Sequence, residues 1–199
     1  SEANASHIMG GQITYSYIGN NKYLFTLKGY RDCRGVLWHI PAVLYIEPAI
    51  GWFNFIQLDS ISKFEITPVC DTQHTACNDS TSLYYGVQEY IFSDTLTIEP
   101  PFSPDGYTIS FKDCARNWAI TTVDLSRGGC FYISTKIYPQ LARGNSSPQF
   151  LNPPTLYVCA NQTVTYSHGA YDADGDSLVY SLVPCLYLED SSVAYLQPF

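Results

Sequence analysis

Ile13-Thr14-Tyr15-Ser16-Tyr17, then Gly19-Asn20-Asn21, then Tyr23-Leu24-Phe25-Thr26-Leu27: two runs with large apolar residues at every second position are joined by one glycine and two asparagines. Successive side chains of a strand point to opposite faces, so Ile13, Tyr15 and Tyr17 share one face and Tyr23, Phe25 and Leu27 share a face on the return. Gly and Asn accept the left-handed dihedrals that a tight hairpin needs. The stretch predicts an antiparallel hairpin, and with it an all-β chain.

The same signals recur outward from it. Strands are expected at Val36 to Glu47, Trp52 to Leu58, Ser62 to Thr67, Gly86 to Phe92 and Thr95 to Glu99, with Pro, Asp, Ser and Asn clusters between them. Pro104-Asp105-Gly106 reads as a turn into Tyr107, Ile109 and Phe111, and two more strands are expected at Ala119 to Val123 and Cys130 to Ile137. Tyr 17, Phe 10 and Trp 3 beside a single Met and 14% charged residues is a composition of strands rather than amphipathic helices. Many short strands with regular turns indicate immunoglobulin-like antiparallel β-sandwich modules. Gly144 to Pro148 is a small polar run ending in proline, which divides the chain into a sandwich domain over 6–145 and a second module begun over 146–199. The second piece is short for a sandwich of ~100 residues and reads as the start of a further module in a longer protein.

Charge and targeting narrow the setting. A net charge of -8 and ten scattered basic residues argue against nucleic acid, whose phosphates need clustered Lys and Arg. The apolar stretch from Val36 to Ile56 is interrupted by His39, Pro41, Glu47 and Pro48 and does not read as a membrane span. Ala3-Asn4-Ala5 has the small-x-small form that signal peptidase recognises. Seven cysteines with no Cys-x-x-Cys pair point to disulfides and an oxidising, extracytoplasmic location. Cys70 with Cys77 brackets a short loop, Cys159 with Cys185 flanks an acidic loop, and Cys33 with Cys114 is the remaining pairing, which leaves Cys130 as a buried inert thiol.

That acidic loop, Asp172-Ala173-Asp174-Gly175-Asp176, sets three carboxylates on alternate positions with no Lys or Arg nearby. Carboxylates this close favour a cation, and Asp172, Asp174 and Asp176 are candidate calcium ligands, with a polar turn as the alternative. An EF-hand is excluded, because glycine comes at the fourth position and Val183 stands where the twelfth-position Glu belongs.

Tyr30-Arg31-Asp32-Cys33, Gly86 to Tyr90, Asp113-Cys114-Ala115-Arg116-Asn117, Ser147-Pro148-Gln149-Phe150 and the Asp-x-Asp-Gly-Asp-Ser-Leu loop occur in this order along the chain. The series resembles the N-terminal region of large secreted surface proteins of Bacteroidetes, gliding-motility-associated or PKD-domain proteins exported by type IX secretion. One departure is Ala115, where those proteins commonly show a second cysteine. The resemblance implies repeated β-sandwich modules on the outer cell surface, the second segment being similar to PKD and cadherin-like modules with calcium-stiffened loops. The partners it implies are neighbouring modules of the same polypeptide and extracellular polysaccharide or cell-surface protein.

No motif of metalloprotease, serine hydrolase, nucleotide or dinucleotide chemistry is present. Glu89, Asp94 and Glu99 are the carboxylates that a fold could still pair for glycoside hydrolysis. Trp38 and Trp52 sit in apolar runs and are expected in the core. Trp118, beside Arg116 in a turn, is the candidate for an exposed sugar-stacking or ligand-binding residue, with Arg116 alternatively bonding loop carbonyls. The expectation is a non-catalytic extracellular module with an adhesion or stalk role, and a carbohydrate-binding module is the alternative.

Overall fold

The computed structural model describes residues 7–70, 72–117, 119–124, 129–152 and 161–196. Among them there is no helix, and eleven strands appear in the order β1 (Ile8–Gly19), β2 (Lys22–Asp32), β3 (Ala42–Ile50), β4 (Phe53–Glu65), β5 (Val87–Thr97), β6 (Tyr107–Asp113), β7 (Phe131–Ile137), β8 (Gln149–Phe150), β9 (Ala170–Tyr171), β10 (Leu186–Leu188) and β11 (Ser191–Ser192). The hairpin forms as its sequence dictates. Tyr17 faces Tyr23, and Asn20 and Asn21 take φ of 51° and 57°, the left-handed values that match the twist of the flanking strands.

Nine strands run in the order β1-β2-β5-β4-β3-β6-β7-β10-β11, each antiparallel to its neighbour. Curled over, β1-β2-β5-β4 faces β3-β6-β7, which is the A-B-E-D against C-F-G arrangement of an immunoglobulin-like sandwich. Strand β4 belongs to both layers. Its first half, to Leu58, pairs with β3, and its second half, from Asp59, pairs with β5, with a register shift between Ser60 and Ser62. A bulge bends a strand and increases its twist, so the polar break that separates two expected strands is a corner within one. Gly86 to Phe92 and Thr95 to Glu99 likewise join into β5. Ala119 to Val123 is not a strand; only Val123 bridges, to Tyr195.

Trp38 centres the core. Its ring lies 5.7 to 5.8 Å from those of His7, Tyr90, Phe92 and Phe111, and the latter is stacked at 27°. Buried Arg31 holds the connection that delivers it, donating to the carbonyls of Val36, Cys33 and Gly35 and to Gln88 Oε1. The indole presses on β2 so closely that a Cβ on Gly29 would lie 2.2 Å from it, which is why that strand position takes glycine. His7 is 2% exposed with neither ring nitrogen partnered among the described residues. Desolvation, then the charges of Arg31 and His39, lower its pKa from 6.5 to about 4, so it sits neutral in the core.

Both disulfides lie at one end of the sandwich, where paired strands finish and Asn117 Nδ2 donates to Asp32 Oδ2. Asp113 faces Phe131 as the last pair of β6 and β7, so the next residues, Cys114 and Cys130, meet and bond. Cys33 follows β2, donates its amide to Gly86, and bonds to Cys77 in the long loop before β5. The expected pairings of Cys70 with Cys77 and of Cys33 with Cys114 are therefore corrected, and Cys130 is bonded rather than free. Pairing followed strand register, which proximity in sequence does not report. Cys70 and Cys185 are exposed free thiols, so Cys185 is not bonded as expected, while Cys159 lies outside the described residues.

The hydrogen bonding does not break at 145/146. Ser147 donates its amide to Tyr15 O and accepts the Tyr15 amide on Oγ, and Ser146 Oγ accepts the Tyr17 amide. Both serines are buried against the outer edge of β1. Unpaired strand edges invite other chains, and here the run read as a linker covers one. Further on, Leu186 of β10 pairs with Tyr132, adding the β10–β11 hairpin to the β3-β6-β7 layer beyond β7.

Candidate functional site: an aromatic face and groove on the second sheet

The residues singled out from the sequence separate into different environments. Asp172 Oδ1 accepts the amides of Asp174 and Asp176, and Asp174 Oδ2 accepts the Ser146 amide at 2.6 Å. The acidic loop thus folds on itself and ties the second segment to the run that covers β1. Among the described residues no three His, Cys, Asp or Glu side chains assemble into a group able to hold a metal.

Arg116 is buried. Its guanidinium donates to Cys130 O through Nε and Nη2 and to Leu186 O through Nη2, and lies 5.5 Å from the Phe131 ring. This is the carbonyl-bonding role, and it fastens β10 to the disulfide loop rather than facing solvent. Trp118 lies outside the described residues, as do Ala3 to Ala5. Glu89, Asp94 and Glu99 spread along and beyond β5, ten residues from first to last, which an extended strand makes about 33 Å. Glu89 lies buried beside the Tyr30 hydroxyl, Asp94 accepts the Thr95 amide, and Glu99 accepts from Asn21, so they form no catalytic pair.

Trp52 departs from expectation. It is 99% exposed, at the tip of the β3–β4 hairpin beside Gly51, whose φ is 61°. A residue projected from a two-residue turn has no facing layer to bury it, whatever its hydrophobicity. Phe53, Phe55 and Tyr45 continue the exposed aromatic surface, all about half or more accessible. Alternation explains the face: Leu44, Ile46, Ile56 and Leu58 point into the core, so Tyr45 and Phe55, cross-strand partners, point out. The row continues across the sheet, from Phe55 to Tyr45 to Ser110 to Ser134.

Where this row meets the β10–β11 hairpin, a groove of about 560 Å³ opens, lined by Tyr45, Glu47, Lys112, Asp113, Tyr132 and Glu189 among others. Its floor is Tyr132, 8% exposed. Burial raises the pKa of this phenol, hydrogen bonds with Ser110 and Ser134 lower it, and the carboxylates of Glu189 and Glu47 raise it further. The phenol is therefore kept neutral by its burial and by carboxylates on β3 and in the β10–β11 turn. The Asp113 carboxyl is also raised by burial. The arrangement offers flat rings beside hydrogen-bonding groups, the composition of a site for a polar ring with apolar faces.

Sequence reasoning did not find this groove, because its residues come from β3, β6, β7 and the β10–β11 turn. One local signal was available: Tyr45 shares its strand face with Glu47, opposite Leu44 and Ile46, which marks Tyr45 as an exposed aromatic. No protein-family model, curated protein or solved structure matches the chain.

Proposed function

We propose that the chain is a non-catalytic module of a secreted bacterial cell-surface protein, of the kind its resemblance to Bacteroidetes surface proteins implies, and that it adheres to extracellular polysaccharide. The observation that carries this reading is the exposed aromatic surface of Tyr45, Trp52, Phe53 and Phe55 on the outside of a sandwich whose interior is otherwise well filled. Aromatic faces stack on the apolar faces of sugar rings, and an exposed patch of this kind marks an interaction surface. Two disulfides agree with an oxidising compartment, and no helix among the described residues is long and apolar enough to cross a membrane.

The experiment is retention on insoluble polysaccharides with Trp52→Ala beside the unaltered chain. Binding reduced tenfold or more by the substitution, with melting temperature unchanged, supports the reading. Binding that ignores Trp52, or none to any polysaccharide tried, overturns it. The stalk role has its own support in the tie between Asp174 and Ser146, which sets the second segment against the first. Melting in EGTA and then in millimolar calcium tests a calcium-held junction: a rise that Asp174→Ala abolishes adds calcium to this role, by RT ln(1 + [L]/Kd).

A further inference from the structure

The groove differs from the aromatic surface that leads into it. Tyr45 belongs to both, but the hairpin tip is apolar while the groove is acidic: Glu47, Asp113 and Glu189 line it against the single cation of Lys112. Glu47 on β3 and Glu189 in the β10–β11 turn are both exposed and reach the groove from separate elements. The lining adds the hydroxyls of Ser110 and Tyr132 on neighbouring strands, with Lys112 facing Tyr132. An occupant must therefore be cationic, rich in hydrogen-bonding groups and flat enough to lie along Tyr45.

A basic peptide would satisfy the charge. Peptides laid on sheets gain most of their affinity from main-chain hydrogen bonds to an open strand edge. Here β3 is paired on both sides, by β4 and β6, and β6 on both sides, by β3 and β7, so the two strands that carry Tyr45, Glu47, Ser110 and Lys112 offer no edge for a peptide to extend. A sugar needs none, since its hydroxyls meet side-chain groups and its ring stacks.

We infer that the groove takes a protonated amino-sugar unit of an extracellular polysaccharide, with Glu47 and Glu189 pairing its ammonium group, Tyr45 stacking on its ring, and the Tyr132 and Ser110 hydroxyls bonding its oxygens. The inference rests on the polysaccharide-binding reading and assigns the chemical class that reading leaves open.

Calorimetry with oligomers of glucosamine, N-acetylglucosamine and glucose of equal length, at pH 6 and low salt, tests it, with oligolysine as the peptide arm. The expected result is binding of glucosamine oligomers about tenfold tighter than of the two neutral series, the scale of a charge-assisted hydrogen bond. Added salt weakens that preference. Glu47→Gln with Glu189→Gln removes the preference for glucosamine over the two neutral series, while Trp52→Ala weakens all three series together. Equal affinity for the charged and neutral sugars, or a preference that survives the double glutamine variant, overturns the amino-sugar assignment and leaves the polysaccharide reading standing. Oligolysine binding as tightly as glucosamine overturns it in favour of a protein partner. Absence of binding by all three sugars overturns both readings.

Discussion

Residues 7–137 and residues 161–196 carry the same kind of sequence and come to different ends. In the first, Tyr23, Phe25 and Leu27 alternate along a strand and are all but fully buried. In the second, Leu178-Val179-Tyr180-Ser181-Leu182-Val183 is as apolar and as β-branched, yet Val179 and Leu182 are each 96% exposed and the stretch belongs to no strand. Apolar spacing chooses an extended backbone, but burial requires a facing layer, and only the first region has two. The second is held at separate points: the Asp174 tie, the short β8–β9 pair, and Leu186 on Tyr132.

The contrast is sharpest under substitution at large apolar residues. Trp38→Ala is expected to cost about 3–5 kcal/mol, the range for an aromatic removed from a packed core, because four rings and both layers close on that indole. Leu182→Ser is expected to stay within about 0.5 kcal/mol. Urea unfolding of both variants reads the difference, and comparable losses would mean that the second region is packed as the first is.

Acid separates the regions next. His7 has a folded pKa of about 4 against 6.5, so the unfolded chain binds the extra proton between those values. Its contribution is complete above pH 6.5 and lost as pH falls toward 4, on the order of 2 kcal/mol by pH 4.5. His7→Phe should remove that part of the pH dependence. Chemical unfolding at pH 7 and pH 4.5 checks it, and parallel curves for both proteins would contradict a neutral buried imidazole. A smaller loss than at Trp38 or His7 is expected from Asp174→Ala, about 1 kcal/mol for the hydrogen bond to Ser146. Amide exchange should rise at Ser146 and in the second segment while β2 and β5 keep their protection; uniform exchange would show the two regions to be one cooperative unit.

What the sequence made legible was local. The β1–β2 hairpin, the Pro104 turn and the all-β class each depend on a few adjacent residues whose dihedral preferences and alternation act directly. The disulfides depended on Asp113 meeting Phe131, a register set by whole strands, and were misassigned from spacing. Trp52 was misjudged because hydrophobicity says nothing about which turn carries a side chain out of the sheet. The groove was illegible for the same reason as the bridges: Glu47 and Glu189 lie 142 positions apart and meet only through the order β3-β6-β7-β10. Arg116, by contrast, follows a cysteine at a strand end, and its alternative role of bonding loop carbonyls could be named in advance.

Placed on a cell surface as proposed, the module would also be a tether that other cells and flowing water pull on. The bridges Cys33–Cys77 and Cys114–Cys130 enclose sequence separations of 44 and 16. At about 3.4 Å per extended residue they withhold roughly 200 Å of contour length that tension alone cannot draw out. Stretched between its ends, the oxidised chain would stop short like a rope with two knots, and a reducing agent would lengthen it without any change in the force at which the sandwich first yields.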